Sequence, residues 1–493
     1  MASNYLLGID VGSSSVKCSL VDVFTGRSVA FAQSPRDEMR ISAPHEGWAE
    51  QEPGLWWQHV VISIQNCLKN QGISGVAVKA IGISYQMHGL VALDRMGKPV
   101  RPSIIWCDSR AVEIGQRAYQ TLGSDYCLGH YLNSPGNFTA SKLRWVMENE
   151  PHIYEQIHTF FLPGDYIAYR LTGERATTVS GLSEGILWDF RERALATDLL
   201  SHYGISNDKI PSIVNTFSIQ GQLTASVASE LGLAAGTPIS YRAGDQPNNA
   251  FSLHVLDPGE TAATAGTSGV IYAVTDQIQT DPKSRVNTFV HVTDQPTSPR
   301  QGILLCINGT GILNSWLRKQ TKASDYDEMN SLAMVTPIGA DGLRVSPFGN
   351  GTERILENRL VGASFRNLDL NRHTQGHLYR AAQEGIVCSV RFGYDIIQSI
   401  SSASSVIRAG KSNLFLSPLM REAFVNTLQV PLELYETNGA TGAALGAGVG
   451  AGLYASTEEA MVGLNRLEVI EPDSSKKEQY ELVYQEWKKE FGL

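Results

Sequence analysis

Two stretches of the chain, about half its length apart, carry nearly the same short hairpin. Residues 8–21 read GIDVGSSSVKCSLV and residues 264–274 read TAGTSGVIYAV. Gly12-Ser13-Ser14-Ser15-Val16 lies over Gly266-Thr267-Ser268-Gly269-Val270. Each copy is a β-rich run, a tight turn of Gly, Ser and Thr, and a second β-rich run. Gly and Ser are ordinary turn residues. Such a turn also exposes backbone N–H groups and small hydroxyls, and nests of N–H groups bind anions. Two of them facing each other across a cleft would grip a polyphosphate from both sides. Two copies, each opening one half of the chain, predict a duplicated nucleotide-binding fold.

The rest of the composition narrows the class. The 493 residues suffice for about two to four domains. Hydrophobic residues make up 42% and charged residues 18%, a balance that supports a packed core and argues against global disorder. A formal net charge of −9 argues against a nucleic-acid or anionic-membrane surface, which needs a basic field. Cys18, Cys67, Cys107, Cys127, Cys306 and Cys388 are scattered with no CxxC or zinc spacing, so reduced thiols are expected. The stretch MASNYLLGIDVG lacks the basic region and apolar core of a signal peptide, and the expected location is cytoplasmic. The Gly/Ala-rich run from Gly439 to Ala455 reads as a buried helix with close neighbours, too short for a membrane span.

Along the chain, residues 5–34 read as three strands with turns near Gly12 and Thr25-Gly26. A Trp-rich helix follows Pro53-Gly54, and residues 78–83 form a buried strand ending in the polar loop SYQMHG. Strands VALD and IIWCDSRA come next, then helices over 141–149 and 151–172. GTPISYRAGDQPNNA reads as a strand running into a polar loop, and helices are expected at about 311–320, 376–400 and 476–491. The helix over 376–400 shows a buried stripe of Leu378, Ala381, Ala382, Ile386 and Val390 at helical spacing. Strands alternating with helices give an α/β architecture.

Three motifs can carry chemistry. Asp10 ends the apolar strand YLLGI directly before the glycine turn; a carboxylate there suits Mg²⁺, which keeps several waters and takes few carboxylates, or it caps its own turn. Asp245, in Ala243-Gly244-Asp245-Gln246, can accept the proton of a sugar hydroxyl as its oxygen attacks phosphorus. Gln86-Met87-His88-Gly89 ends the strand VKAIGIS, and ligands of open α/β sheets bind beyond the carboxyl ends of strands. Three other phrases imitate motifs. SVIRAGKS has Ser405 where a P-loop needs Gly, GAGVGA at 446–451 lacks the strand that should lead into a dinucleotide turn, and Glu384 has no partner carboxylate at hydrolase spacing.

With these residues in view, nearly the whole chain resembles the FGGY family of carbohydrate kinases. The carriers are GIDVGSSSVK, WAEQEPGLWW, QMHG with ALD and PSIIWCDSRA, PGNFTASKLRWVMENEP, LPGDYIAYRLTGE, AGDQ, AGTSGVIYAV, NRHTQGHLYRAAQEGI and TGAALGAGVGAG. The resemblance implies an α/β, two-domain actin-like ATPase (ribonuclease H-like) fold with its active site in the interdomain cleft. It implies an N-terminal domain over 1–255 and a C-terminal, nucleotide-binding domain over 256–493. Asp245 becomes the catalytic base, and Gln86, Met87, His88, Asp245 and Gln246 the sugar contacts. Gly12, Ser13, Ser14, Lys17, Gly266, Thr267, Ser268, Gly311, Gly410 and Gly439 become the nucleotide contacts, and Asp10 with Asp245 the metal ligands. ATP and Mg²⁺ are the implied cofactors. The implied acceptor is a small sugar, D-xylulose foremost, with ribulose, gluconate or glycerol as alternatives; a non-catalytic actin-like nucleotide binder is the reading from another class. No nucleic-acid or membrane partner is expected, and a homodimer is left open. The chain departs from the family pattern at Ile407-Arg408-Ala409-Gly410, at Asn438, at Tyr85 before Gln86 and at Gln246 after Asp245.

Overall fold

The computed structural model describes residues 4–402 and 404–493. Its chain divides into two compact units. One comprises residues up to 254 with 289–301 and 437–464, and the other 255–288, 302–436 and 465–493. Two later stretches of sequence thus return to the first unit.

The first unit is built on a six-stranded sheet. Its strands are β1 (Tyr5–Val11), β2 (Val16–Asp22), β3 (Ser28–Ser34), β4 (Val78–Tyr85), β5 (Phe217–Gln222) and β6 (Pro238–Gly244), in the order β5-β6-β4-β1-β2-β3. β1, β4 and β6 run parallel, and β1 and β2 form the antiparallel first hairpin. Strand alternation sorts β1 into two faces. Leu7, Ile9 and Val11 enter the core shared with Trp56, Trp57, Val60 and Ile64 of helix α1 (Pro53–Gln71). Gly8 and Asp10 face the opposite way.

A seven-stranded sheet, its residues in the second unit apart from Phe289, Val290 and Gln301, holds β7 (Thr261–Ala265), β8 (Gly269–Thr275), β9 (Asn287–Val290), β10 (Gln301–Ile307), β11 (Ile407–Gly410), β12 (Leu432–Glu436) and β13 (Asn465–Ile470), in the order β9-β10-β8-β7-β11-β12-β13. β7, β11 and β12 are parallel, and β7 and β8 form the second hairpin. The strand order β6-β4-β1-β2 of one unit therefore recurs as β12-β11-β7-β8 in the other. The repeat seen in the sequence is a repeat of topology, not of a turn alone.

Between these strands lie α2 (Asp245–Ser252), α3 (Gly311–Thr321), α4 (Gln375–Ile400) and α5 (Gly439–Gly450), and α6 (Lys477–Phe491) follows the last of them. The stripe on α4 packs as expected: Ala381, Ala382, Ile386 and Val390 are in the core of the second unit, with Leu378 partly buried against it. α5 packs on β1 and β4 of the first unit. A Cβ at Gly8 would strike the Ala440 carbonyl, and one at Gly82 the Ala443 carbonyl. The Gly/Ala composition of α5 is what lets helix and strand backbones approach this closely.

The structure corrects three local readings. Residues 151–172 are not one helix. A single turn at Pro151–Tyr154 is followed by a strand at Thr159–Phe161 and a helix at Pro163–Thr172. Leu162 precedes Pro163 and is held extended, while Phe160 and Phe161 pair with Ala92 and Val91. IIWCDSRA contributes only Ile104 to a strand, the two-residue Ser103–Ile104. The chain after β6 is helix α2, not a loop; Pro247 sits in its first turn, where its missing N–H costs little. GAGVGA is the last turn of α5 with its C-cap Ala451, so it forms no dinucleotide turn. Ile407–Gly410 is a strand, and Glu384 accepts from Arg380 Nε at 2.8 Å and the Gly339 N–H at 3.1 Å.

Candidate active site

In the first unit, three parallel strands deliver the candidate residues to one end of the sheet. Val11 is in register with Tyr85, and Tyr85 with Gly244. Asp10, the segment Gln86–Gly89 and Asp245 therefore emerge at the carboxyl ends of β1, β4 and β6. This is where an open α/β sheet places its ligands.

The first turn is fixed through its carbonyls. The Ser13 carbonyl accepts from Gln51 Nε2 at 2.7 Å, and the Ser14 carbonyl from the Met39 N–H at 2.8 Å. The Trp106 indole N–H donates to Ser13 Oγ at 3.3 Å, and the Gly12 N–H closes the turn on the Ser15 carbonyl at 3.0 Å. Ser14 at the tip is exposed. Lys17 is in register with Asp10 on β2.

Asp245 is the first residue of α2, with Gly244 as N-cap. Its carboxyl is pushed up to about 7. Loss of surrounding water is the main cause and the Asp10 charge the second, opposed by hydrogen bonds from the Gln246 side chain and N–H and by the Lys17 charge. A carboxylate with this proton affinity is matched to proton transfer near neutral pH. Asp10 also adjoins α5: a Cβ on Gly439 would lie 2.8 Å from the carboxyl. Gly439 thus belongs with Asp10 in the first unit, not with the second hairpin. Asn438, at the position of a family departure, is the N-cap of α5 and accepts from the Thr441 N–H at 3.0 Å.

The segment after β4 is tightly held. Gln86 is 3% exposed, and its amide nitrogen and oxygen have no hydrogen-bond partner. Such orphaned groups cost about 1–3 kcal/mol and concentrate at functional positions. Met87 is buried against Gly244, where a Cβ would come within 2.7 Å of Met87 Cγ. His88 adopts φ 61; its ring meets Phe138 edge-on at 5.0 Å and lies tilted against Phe289 at 5.3 Å. Its carbonyl accepts from Lys142 Nζ at 2.9 Å. Sequence reasoning missed Lys142, Gly244 and Glu184. Glu184 lies in a six-residue helix, Val179–Glu184, and nothing in its local sequence signals it.

In the second unit the turn 266–268 joins β7 to β8. It too is held by its carbonyls. Gly266 accepts from the Gly311 N–H at 3.0 Å and from Thr310 Oγ1 at 3.2 Å, and Thr267 from the Ile312 N–H at 3.2 Å. A Cβ at Gly311 would strike the Gly266 carbonyl. Gly311 therefore stands behind the turn, its N–H already used. Thr267 is exposed at the tip, with Ser268 beside it. Gly410 ends β11, which pairs with β7. On β11, Ile407 and Ala409 are fully buried, while Arg408 pairs with Glu260 at 3.0 Å and Glu433 at 3.4 Å. The departure from the family's glycines is thus a regular strand whose larger side chains are accommodated.

No group of three or more His, Cys, Asp or Glu suited to a metal occurs among the described residues. Asp10 and Asp245 form a pair of acidic groups close enough for one charge to raise the other's proton affinity. Mg²⁺ is ordinarily held by one or two carboxylates, with water and substrate phosphate completing its shell, and this pair fits it. Among the described residues no helix is long and apolar enough to cross a membrane.

A duplicated α/β fold with carboxylates and a polar loop at the strand ends is the arrangement in which open α/β sheets hold their ligands. The chain belongs to the FGGY family of carbohydrate kinases: residues 5–252 match its N-terminal domain. It is 29% identical over 461 residues to the xylulose kinase of Escherichia coli (strain K12), covering 93% of this chain and 92% of that one. Among solved structures, xylulose kinase from Rhodospirillum rubrum matches with a TM-score of 0.85 and 25% identity, covering 99% of this chain and 98% of that one. Gluconate kinase from Lactobacillus acidophilus matches with a TM-score of 0.88, 22% identity and the same coverage. The fold is common to kinases of different sugars, so the acceptor must be argued from the site.

Proposed function

We propose that this carbohydrate kinase transfers the γ-phosphoryl group of ATP to the terminal hydroxyl of D-xylulose, giving D-xylulose 5-phosphate. The observation that carries the reading is the placement of Asp245, its carboxyl at about 7, with Gln86, Met87 and His88 at neighbouring strand ends. Xylulose kinases are similar over nearly the full length of the chain, which supports D-xylulose over other acceptors.

In this reading the Gln86 amide and the His88 ring meet sugar hydroxyls, and Met87 packs on the carbon chain. The Asp245 carboxylate accepts the proton of the attacking hydroxyl as the oxygen closes on phosphorus. Gln246, by hydrogen-bonding that carboxylate, keeps it oriented. Turns 12–15 and 266–268 offer N–H groups and small hydroxyls to phosphate oxygens. Asp10 and Asp245 would hold Mg²⁺, which when bound neutralises phosphate charge. Phosphoryl transfer depends mainly on such positioning and charge stabilisation. Residues 1–255 are proposed as the sugar-binding domain and 256–493 as the nucleotide-binding domain, except that Gly439 serves Asp10. A cytoplasmic location accords with cysteines scattered without CxxC or zinc spacing.

The test is ATP consumption with Mg²⁺ against D-xylulose, L- and D-ribulose, gluconate, glycerol and no sugar. Turnover with D-xylulose well above the others is the expected result. Turnover confined to another sugar overturns the acceptor, and ATP binding without transfer to any sugar supports the non-catalytic alternative.

A further inference from the structure

Glu184 belongs to neither loop at the strand ends, yet it touches both. It is 1% exposed. Its Oε1 accepts the Tyr85 hydroxyl hydrogen at 2.6 Å, and its Oε2 faces the His88 N–H at 3.4 Å. Its main-chain carbonyl lies 2.7 Å from His88 Nδ1. On the other side, a Cβ at Gly244 would come within 3.0 and 3.1 Å of the two carboxylate oxygens. One side chain thus braces the end of β4, the His88 backbone and the residue before Asp245.

His88 needs such a brace. Its φ of 61 lies in the left-handed region, which costs a residue with a Cβ about 1–2 kcal/mol. Lys142 holds its carbonyl and Glu184 its N–H and ring. The Tyr85–Glu184 contact also accounts for a family departure. The Tyr85 ring fills the space over Gly164, and its buried hydroxyl, beside Gly181, requires an acceptor. Burying a carboxylate is expensive, and burial together with the Asp165 and Asp245 charges holds Glu184 well above the usual carboxylate range. An apolar side chain would fill the space without that cost, but it could not hold the His88 N–H and the Tyr85 hydroxyl together.

We infer that Glu184 is a positioning residue for the sugar side of the site, setting His88 relative to Gly244 and Asp245. The inference rests on the proposed roles of His88 and Asp245. It is tested with Glu184→Ala, Glu184→Gln and Tyr85→Phe, measuring kcat and KM for the sugar, KM for ATP, and the thermal midpoint. Glu184→Ala should lower kcat/KM for the sugar by about tenfold or more, the size expected when buried groups such as the Tyr85 hydroxyl and the His88 N–H are left without their partner, with KM for ATP within about twofold. Glu184→Gln, which keeps one acceptor oxygen, should recover part of the loss. Sugar kcat/KM within about twofold of wild type in Glu184→Ala, on the same scale, overturns the inference, as does an equal rise in KM for both substrates. If Glu184→Ala does not fold, Tyr85→Phe decides: a loss confined to the sugar supports the inference and no loss overturns it. Failure of the wild type on D-xylulose counts against the proposed acceptor alone, because the comparison is then made with whichever sugar is turned over.

Discussion

A methyl group on Gly439 would stand 2.8 Å from the Asp10 carboxyl carbon and from Oδ2, so the first residue of α5 and the carboxylate at the end of β1 share one small space. What a side chain at 439 would strike is the free end of a short side chain, which can rotate away. Gly439→Ala should therefore displace Asp10 more than it disturbs the fold. Turnover is expected to fall by about tenfold or more, as misplacement at a reacting centre does, while the thermal midpoint stays near wild type. Parallel measurement of kcat and melting checks this; a large fall in the midpoint with unchanged kcat per folded molecule contradicts it.

Gly8→Ala should behave in the opposite way. A Cβ there meets the Ala440 carbonyl and the Ala444 nitrogen, backbone atoms of a helix packed on three parallel strands. Relief requires α5 to lift from the sheet, and overpacking of this kind costs about 1–3 kcal/mol or more. Urea titration of Gly8→Ala should show that loss at an unchanged slope.

Local pattern made much of this legible. The two hairpins, the strand expected at 78–83 and found at Val78–Tyr85, and the α4 stripe announced themselves through alternation, turn residues and helical spacing. The missed parts depend on partners far along the chain. That α5 returns to β1 rests on Gly8 and Gly82 meeting Ala440 and Ala443, which no window of sequence contains. The brace formed by Glu184 on Tyr85 and His88 is likewise long-range. Asp245 stands at a strand end where the sequence places it, but the residues after it form α2 and not a loop, although Asp-Gln-Pro-Asn-Asn is rich in turn formers. Those residues also suit a helix start, and tertiary packing chose between the two.

The pH profile should report Asp245. Its carboxyl sits at about 7 and must be ionised to accept a proton. The kcat/KM for the sugar should therefore be level above that pH and fall below it, by about tenfold per pH unit for a single required base. A profile flat from pH 8 to 5, on the ordinary carboxylate range of about 4, would contradict the assignment.

Thr310 offers a separable test of the second turn. It is fully buried, and its hydroxyl donates to the Gly266 carbonyl at 3.2 Å or the Thr267 carbonyl at 3.3 Å. Thr310→Val keeps the shape and removes that tie. KM for ATP should rise several-fold, in line with the loss of about 1 kcal/mol from one neutral hydrogen bond, with KM for the sugar little changed. Isothermal titration with ATP checks the same shift without turnover.

The most direct measurement is phosphoryl transfer by Asp245→Asn at pH 8, with sugar and MgATP saturating and the binding of each confirmed separately. A fall in kcat of about 10²–10⁴ is expected, the contribution of a general base, with both substrates still bound. A variant that binds both and turns over within a few-fold of wild type would show that another group takes the proton.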